Sequence, residues 1–256
     1  MPTLINTSNL SLSAGNKTLC AGLNWQVKAG QVWGLLGLNG AGKTTLLHTL
    51  AGIHTPQQGE VMLWEQCVSQ WPAKVLAKKR GLLLQHHHDP FPGKVIDYVL
   101  MGRHPYLHAL QWESDEDFLL AEQTLKTVGL EGMALRDIDS LSGGEYQRMA
   151  IAMILLQAPE LYLLDEPVNH LDLPFQHLIL KLFSDVMRAH SGGIVMSLHD
   201  INLAARYCSH VMLIFEQGQI QFGPVNEILT EPNLSQLYHH PIKLIEHDGI
   251  KNFIAI

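Results

Sequence analysis

The sequence predicts an α/β protein in which helices cover a mostly parallel sheet. Short apolar runs alternate with helical patterns through much of the chain, the arrangement that builds parallel sheets through crossover helices. Residues 86–158 depart from that alternation. They carry helical patterns and little strand signal, and read as a helical lobe inserted into the core. Residues 1–30 read as short antiparallel strands with turns at Ala14-Gly15-Asn16 and Ala29-Gly30.

Taken in order, residues 32–36 are a short apolar run bounded by polar sequence, which predicts a buried strand. A glycine-rich turn follows, then a helix over 42–51. Residues 82–84 and 161–164 predict two more core strands. Helical patterns cover 117–128 and 144–156. Phe175, Leu178, Ile179, Leu182, Phe183, Val186 and Met187 fall on one face of a helix. A strand over 193–197, a helix over 200–207 and a strand over 211–215 complete the pattern, and the tail after Pro241 adds short strands. The chain therefore reads as a single domain over 1–256. Residues 1–85 and 159–256 form the α/β core with its β subdomain, and 86–158 form the lobe.

Composition narrows the function. The 256 residues suffice for one substantial core with an inserted lobe, and 46% apolar with 16% charged residues suits a globular protein. A formal net charge of -7 argues against a broad electrostatic grip on nucleic acid. Cys20, Cys67 and Cys208 are scattered, with no metal-ligand spacing, and point to a reducing cytoplasm. The start of the chain does not read as a signal peptide, and no window approaches the roughly 20 apolar residues of a membrane helix.

Gly37-Leu38-Asn39-Gly40-Ala41-Gly42-Lys43-Thr44 matches G-x-x-x-x-G-K-[ST] between a predicted strand and a predicted helix. Glycines let bare backbone N–H groups approach phosphate oxygens, and the helix N-terminus faces the same anion. Lys43 then contacts the β- and γ-phosphates of ATP, and the Thr44 hydroxyl ligates Mg²⁺. Thr45, next in the same turn, joins the ATP-binding set. Further on, the apolar run 161–164 ends in Asp165 and Glu166. A buried strand delivers both acids to its carboxyl end, where ligands bind in open α/β sheets. Beside a phosphate loop, Asp165 is placed to hold Mg²⁺, directly or through water, and Glu166 to polarise a water for attack on the γ-phosphate.

Leu141-Ser142-Gly143-Gly144-Glu145, followed by Tyr146-Gln147-Arg148, opens a helical pattern. Alone it is a helix cap with a flexible lead-in; it is also a second anion site. The order of these motifs resembles that of the ATP-binding cassette (ABC) family of transporter ATPases, over nearly the whole chain. The resemblance takes residues 37–44 as Walker A, Gln85 as the Q-loop glutamine and residues 141–145 as the family signature. Residues 161–165 become Walker B with Glu166 as catalytic base. Asn169-His170-Leu171-Asp172 becomes the D-loop, and His199 in Ser197-Leu198-His199-Asp200 the switch histidine.

That resemblance implies an α/β fold of the P-loop NTPase (RecA-like) type, with an antiparallel β subdomain and an inserted α-helical subdomain. It implies that two copies pair head to tail, so that Ser142, Gly143, Gly144 and Glu145 of one chain close on the ATP held by Lys43 of the other. Gln85 would reach Mg²⁺ or the attacking water and sense integral membrane permease subunits, His199 would steady the γ-phosphate, and Asp172 would lie at the dimer contact. Residues 99–107 and 113–117, with the ending around 229–238, are similar to the ATPases of iron–siderophore, haem and cobalamin importers. A peripheral subunit on the cytoplasmic face of the inner membrane follows, served indirectly by a periplasmic or lipoprotein substrate-binding protein. The alternatives are an ATPase for another cargo, export included, and a non-transport cassette ATPase. In one place the chain departs from the pattern. The family sets an adenine-stacking aromatic near Ala14, and here the candidates to replace it are Trp25 and Trp33, the latter on a predicted buried strand. The run His86-His87-His88 after Gln85 reads as a solvated loop facing the membrane partner rather than a metal site.

Overall fold

A computed structural model describes residues 1–15, 17–85, 92–108, 110–189, 191–247 and 250–256. The His86-His88 run lies outside the described residues. The strands are β1 (Thr3–Ala14), β2 (Lys17–Lys28), β3 (Val32–Leu36), β4 (Gln58–Leu63), β5 (Gln66–Cys67), β6 (Arg80–Leu83), β7 (Leu161–Leu164), β8 (Gly193–Ser197), β9 (His210–Ile214), β10 (Ile220–Pro224), β11 (Ile242–His247) and β12 (Ile250–Ala255). The helices are α1 (Lys43–Leu50), α2 (Ala73–Lys79), α3 (Val95–Leu100), α4 (Asp115–Thr127), α5 (Gly143–Gln157), α6 (Leu173–Ala189), α7 (Ile201–Tyr207), α8 (Val225–Ile228) and α9 (Glu231–Tyr238).

A six-stranded sheet in the order β10-β9-β3-β8-β7-β6 forms the centre, parallel throughout except for the antiparallel edge strand β10. Its inner strands are buried on both faces, which is why they read as unbroken apolar runs rather than alternating ones. The alternation is present but both sides of it are apolar. In β7, Tyr162 and Leu164 pack into one cluster with Ile151 of α5 and Phe183 of α6. Leu161 and Leu163 pack into a second cluster with Leu46, Leu47 and Leu50 of α1.

That second cluster also takes in Ile5, Leu10, Leu23 and Trp25, so α1 lies between the central sheet and a four-stranded antiparallel sheet ordered β2-β1-β4-β5. The expected short strands at the start are in fact two strands of 12 residues each. They stay paired over that length because bulges absorb register shifts, one of them between Thr7 and Leu10, beside Asn9 at φ 48°. Strands β4 and β10 escaped the sequence reading. Gly59 interrupts β4, where a Cβ would come within 2.3 Å of the Ser8 and Asn9 carbonyls, and β10 is an exposed edge with little apolar pattern. The tail does form strands, the hairpin β11–β12.

Between β6 and β7 the described residues form helices and turns, with a single isolated bridge between Lys94 and Asp137. Ser114 and Ser142 start α4 and α5 with reciprocal capping boxes to Asp117 and Glu145. Among the described residues no helix is long and apolar enough to cross a membrane.

Candidate functional site

β3, β6, β7 and β8 run parallel, so their carboxyl ends open on one side of the sheet. Lys43, Gln85, Glu166 and His199 follow these four strands and line one cleft of about 440 Å³. Asn39, Gly40, Ala41, Gly42, Thr44, Thr45 and Asn169 line it as well.

The loop after β3 needs its glycines. At Gly37 a Cβ would sit 2.7 Å from the Ile214 carbonyl oxygen. Gly42 adopts φ 107°, and a Cβ there would meet Leu19 at 2.9 Å. Gly42 caps α1 without any side-chain hydrogen bond, so the first-turn N–H groups keep no side-chain acceptor. Lys43 is 6% exposed, and its Nζ donates to Gly37 O at 2.8 Å and Leu38 O at 3.2 Å. Burial lowers the pKa of this ammonium, while Glu166 and Asp165 oppose the shift. Lys17 of β2 fastens the loop from outside, donating from Nζ to Gly40 O at 2.8 Å.

The two acids are held differently. Asp165 is fully buried. Its Oδ1 accepts from Ser197 Oγ at 2.6 Å, and its Oδ2 is buried without a hydrogen-bond partner. Glu166 stands in the left-handed region at φ 48°, a conformation costing about 1–3 kcal/mol for a non-glycine residue. Four groups hold it there. Its N–H donates to Ser197 Oγ at 2.7 Å, and its carbonyl accepts from Gln147 Nε2 at 3.4 Å. Oε1 meets His199 Nε2 at 2.6 Å, and Oε2 accepts from Asn169 Nδ2.

A divalent cation fits this donor set. Thr44 and Glu166 bring oxygen donors to the cleft wall, and the adjacent Asp165 keeps its Oδ2 buried with no hydrogen-bond partner. Among the described residues no three His, Cys, Asp or Glu side chains come together as a closed metal cage. Mg²⁺ does not require one, because it takes one or two carboxylates and fills its remaining positions with phosphate oxygens and water.

The structure does not bring residues 142–145 to this cleft. Ser142 and Gly143 are exposed, and nothing lies within 4 Å of where a Gly143 Cβ would stand. Ser142 N–H donates to Glu145 Oε2 at 2.8 Å, and Arg136 pairs with Glu145 Oε1 at 3.2 Å. The Ser142 backbone N–H holds the Glu145 carboxyl below its usual range, helped by the Ser142 hydroxyl and Arg136. Asp172 is exposed at the start of α6, and the neighbouring Leu173 is 65% exposed. Gln147 is the physical link from α5 to the cleft, since its Nε2 also donates to Pro167 O at 3.1 Å.

Neither tryptophan reaches the cleft. Trp25 and Trp33 are 1% and 3% exposed and meet edge to face with ring centroids 5.0 Å apart. Ala14 and the Leu19 side chain line the cleft where the antiparallel sheet meets the loop.

Comparison with known proteins agrees with this geometry. The family profile described as ABC transporter matches residues 20–169. The chain belongs to the ABC transporter ATPase family. Among this ATPase's relatives is a Bacillus subtilis protein named as a probable siderophore transport system ATP-binding protein, YusV. The two are 39% identical over 226 residues, covering 88% of this chain and 82% of that one. The hemin import ATP-binding protein HmuV of Thermobifida fusca is 36% identical over 245 residues, covering 95% and 85%. Among solved structures, the ATPase superposes with a TM-score of 0.85 on a metal-chelate type ABC transporter in an inward-facing conformation, at 30% identity and covering 99% and 98% of the two chains.

Sequence reasoning named Ser197, Asn169 and Gln147 only as letters inside motifs and gave Lys17 no part. In the ATPase all four hold the loop or the acids. Ser197, Gln147 and Lys17 act through contacts with residues distant in the chain, and Lys17 stands in no motif at all. Asn169 acts locally, on Glu166 three positions before it.

Proposed function

We propose that this chain is the ATP-binding and ATP-hydrolysing subunit of a bacterial importer for a metal chelate. The convergence of Lys43, Thr44, Glu166 and His199 on one cleft, with Asp165 buried directly before Glu166, carries the nucleotide reading. The cargo class rests on relatives named for siderophore and haem import and on the metal-chelate transporter. Cobalamin belongs to the same class through the sequence resemblance alone.

The loop 37–44 and Thr45 cradle the phosphates of ATP through backbone N–H groups, with Lys43 leaving the Gly37 and Leu38 carbonyls for the β- and γ-phosphates. Thr44, Gln85 and the free oxygen of Asp165 hold Mg²⁺. When bound, that ion neutralises charge on the β- and γ-oxygens. Glu166 takes a proton as water attacks the γ-phosphorus and the bond to the β–γ bridging oxygen breaks, giving ADP and phosphate. His199 orients Glu166 through Oε1 and would steady the γ-phosphate.

Residues 142–145 complete the site of a second copy in a head-to-tail dimer, with Asp172 at the contact. The exposure of Ser142 and Gly143, and the fact that none of the four lines this chain's own cleft, favour that arrangement. Residues 86–158 act as the helical lobe that, with Gln85, meets the integral membrane permease. The ATPase then works as a peripheral subunit on the cytoplasmic membrane face. A substrate-binding protein feeds the same importer from the other side.

Affinity purification of the full chain from its own membranes tests the reading. A co-purifying polytopic permease whose presence makes hydrolysis respond to a ferric or haem chelate supports it. A permease whose ATPase coupling ignores metal chelates, or the absence of any permease, contradicts it.

A further inference from the structure

Ser197 ends β8, which lies between β3 and β7, and its side chain is fully buried. Its hydroxyl carries a single proton and gives it to Asp165 Oδ1 at 2.6 Å. A lone pair of the same oxygen accepts the Glu166 N–H at 2.7 Å. Both ends of the hydroxyl are thus committed, and Oδ1 of Asp165 is satisfied. Oδ2 is left buried, with no hydrogen-bond partner. The nearby Lys43 ammonium is occupied by Gly37 O and Leu38 O.

We propose that Ser197 is a positioning residue for the divalent cation. It clamps one oxygen of Asp165 so that the other faces the cation or a cation-bound water, and it fixes the backbone that presents Glu166. The proposal rests on the Mg²⁺–ATP reading above. A carboxylate that binds a metal works within tight limits of orientation, and outer partners that set this orientation are worth about 10–100-fold in metal affinity. Without the hydroxyl, Asp165 can rotate about its side-chain bond and the Glu166 N–H loses its acceptor. Ser197 is itself fully buried and does not line the cleft.

The test is binding of a non-hydrolysable ATP analogue to the full chain, measured in EDTA and across a Mg²⁺ titration, for wild type, S197A, S197C and S197T, each with its melting temperature. S197A and S197C are expected to raise the Mg²⁺ midpoint by about tenfold while affinity in EDTA stays at the wild-type level. S197T keeps the hydroxyl and is expected to respond at the wild-type Mg²⁺ concentration. S197C carries the test if S197A does not fold, because the thiol fills the space and is a poor donor. An unchanged midpoint in S197A and S197C overturns the proposal. An equal shift in S197T overturns it as well, since packing rather than the hydroxyl would then be responsible. A wild-type chain whose nucleotide affinity ignores Mg²⁺ overturns the Mg²⁺–ATP reading, and this proposal with it.

Discussion

His199 Nε2 and Glu166 Oε1 lie 2.6 Å apart, although 33 positions separate the two residues in the chain. β7 and β8 are adjacent parallel strands, so the loops that leave them emerge side by side and place the acid and the imidazole in contact. Asn169 takes the other carboxylate oxygen, so both oxygens of Glu166 are engaged in this state.

Replacing Glu166 by Gln keeps the size of the side chain and removes the base. Turnover is expected to fall by about 10²–10⁴-fold, the range for losing a general base. Nucleotide affinity and nucleotide-driven dimer closure are expected to persist. Phosphate release and size-exclusion chromatography in ATP measure the two. Wild-type turnover in Glu166→Gln removes this residue as the base.

Ser142 is exposed while Lys43 is buried in its own cleft. In the head-to-tail dimer proposed above the two would serve different composite sites. Lys43→Ala alone is expected to abolish nucleotide binding, and Ser142→Arg alone to abolish closure. Mixing the two variants gathers both defects into one composite site and leaves the other intact. Partial recovery of ATP-driven dimerisation in the mixture is the expected result, and mixtures as inactive as their parents would count against the shared site.

Glu145 anchors the start of α5 by accepting the Ser142 N–H, and its pKa is held below the ordinary value of 4.5 chiefly by that bond. A carboxylate with a depressed folded pKa contributes its stabilisation fully above the unfolded value and loses it as pH falls through the lower folded one. Glu145→Ala is therefore expected to cost about 1 kcal/mol at neutral pH, the usual worth of a cap. Paired urea titrations from pH 7 down into the acid range should show the gap between wild type and variant closing below about pH 4. A gap of constant size across that range would mean that the carboxylate charge plays no part.

With Trp25 and Trp33 locked in the core, aliphatic groups of Ala14 and Leu19 stand where the antiparallel sheet meets the phosphate loop. ATP and GTP are expected to compete with similar affinity for the wild-type chain. Ala14→Tyr should improve ATP binding by about 0.5–1.5 kcal/mol, the worth of an aromatic stack. Competition against a labelled nucleotide measures both. No gain for Ala14→Tyr would place the base elsewhere.

Most of the site was legible as local pattern. Glycine spacing marked Lys43, the end of the apolar run 161–164 marked Asp165 and Glu166, and His199 came from the family resemblance. Short apolar runs of this kind become the inner strands of a parallel sheet whose ends collect ligands. The central strands were recognised for the same reason, with ends displaced slightly: β6 is Arg80–Leu83 rather than 82–84, and β9 is His210–Ile214 rather than 211–215. The long bulged strands β1 and β2 were harder, because bulges break the two-residue period on which strand reading depends. Strands β4 and β10 were not legible at all. Each is held by a partner strand rather than by its own apolar pattern.

The sequence by itself determined the phosphate loop, the acid pair and the order of motifs, because glycine, lysine and carboxylate at those spacings are dictated by the chemistry of phosphate and by local backbone geometry. Only the tertiary structure decided how the acids are held. It put Ser197 between Asp165 and Glu166, Gln147 against the Glu166 carbonyl, and His199 and Asn169 on the two carboxylate oxygens. It also removed both tryptophans from the cleft by burying them together. These contacts depend on which strands lie side by side. That order is set by burial of both faces of the sheet, a property of the whole chain that no short stretch of it encodes.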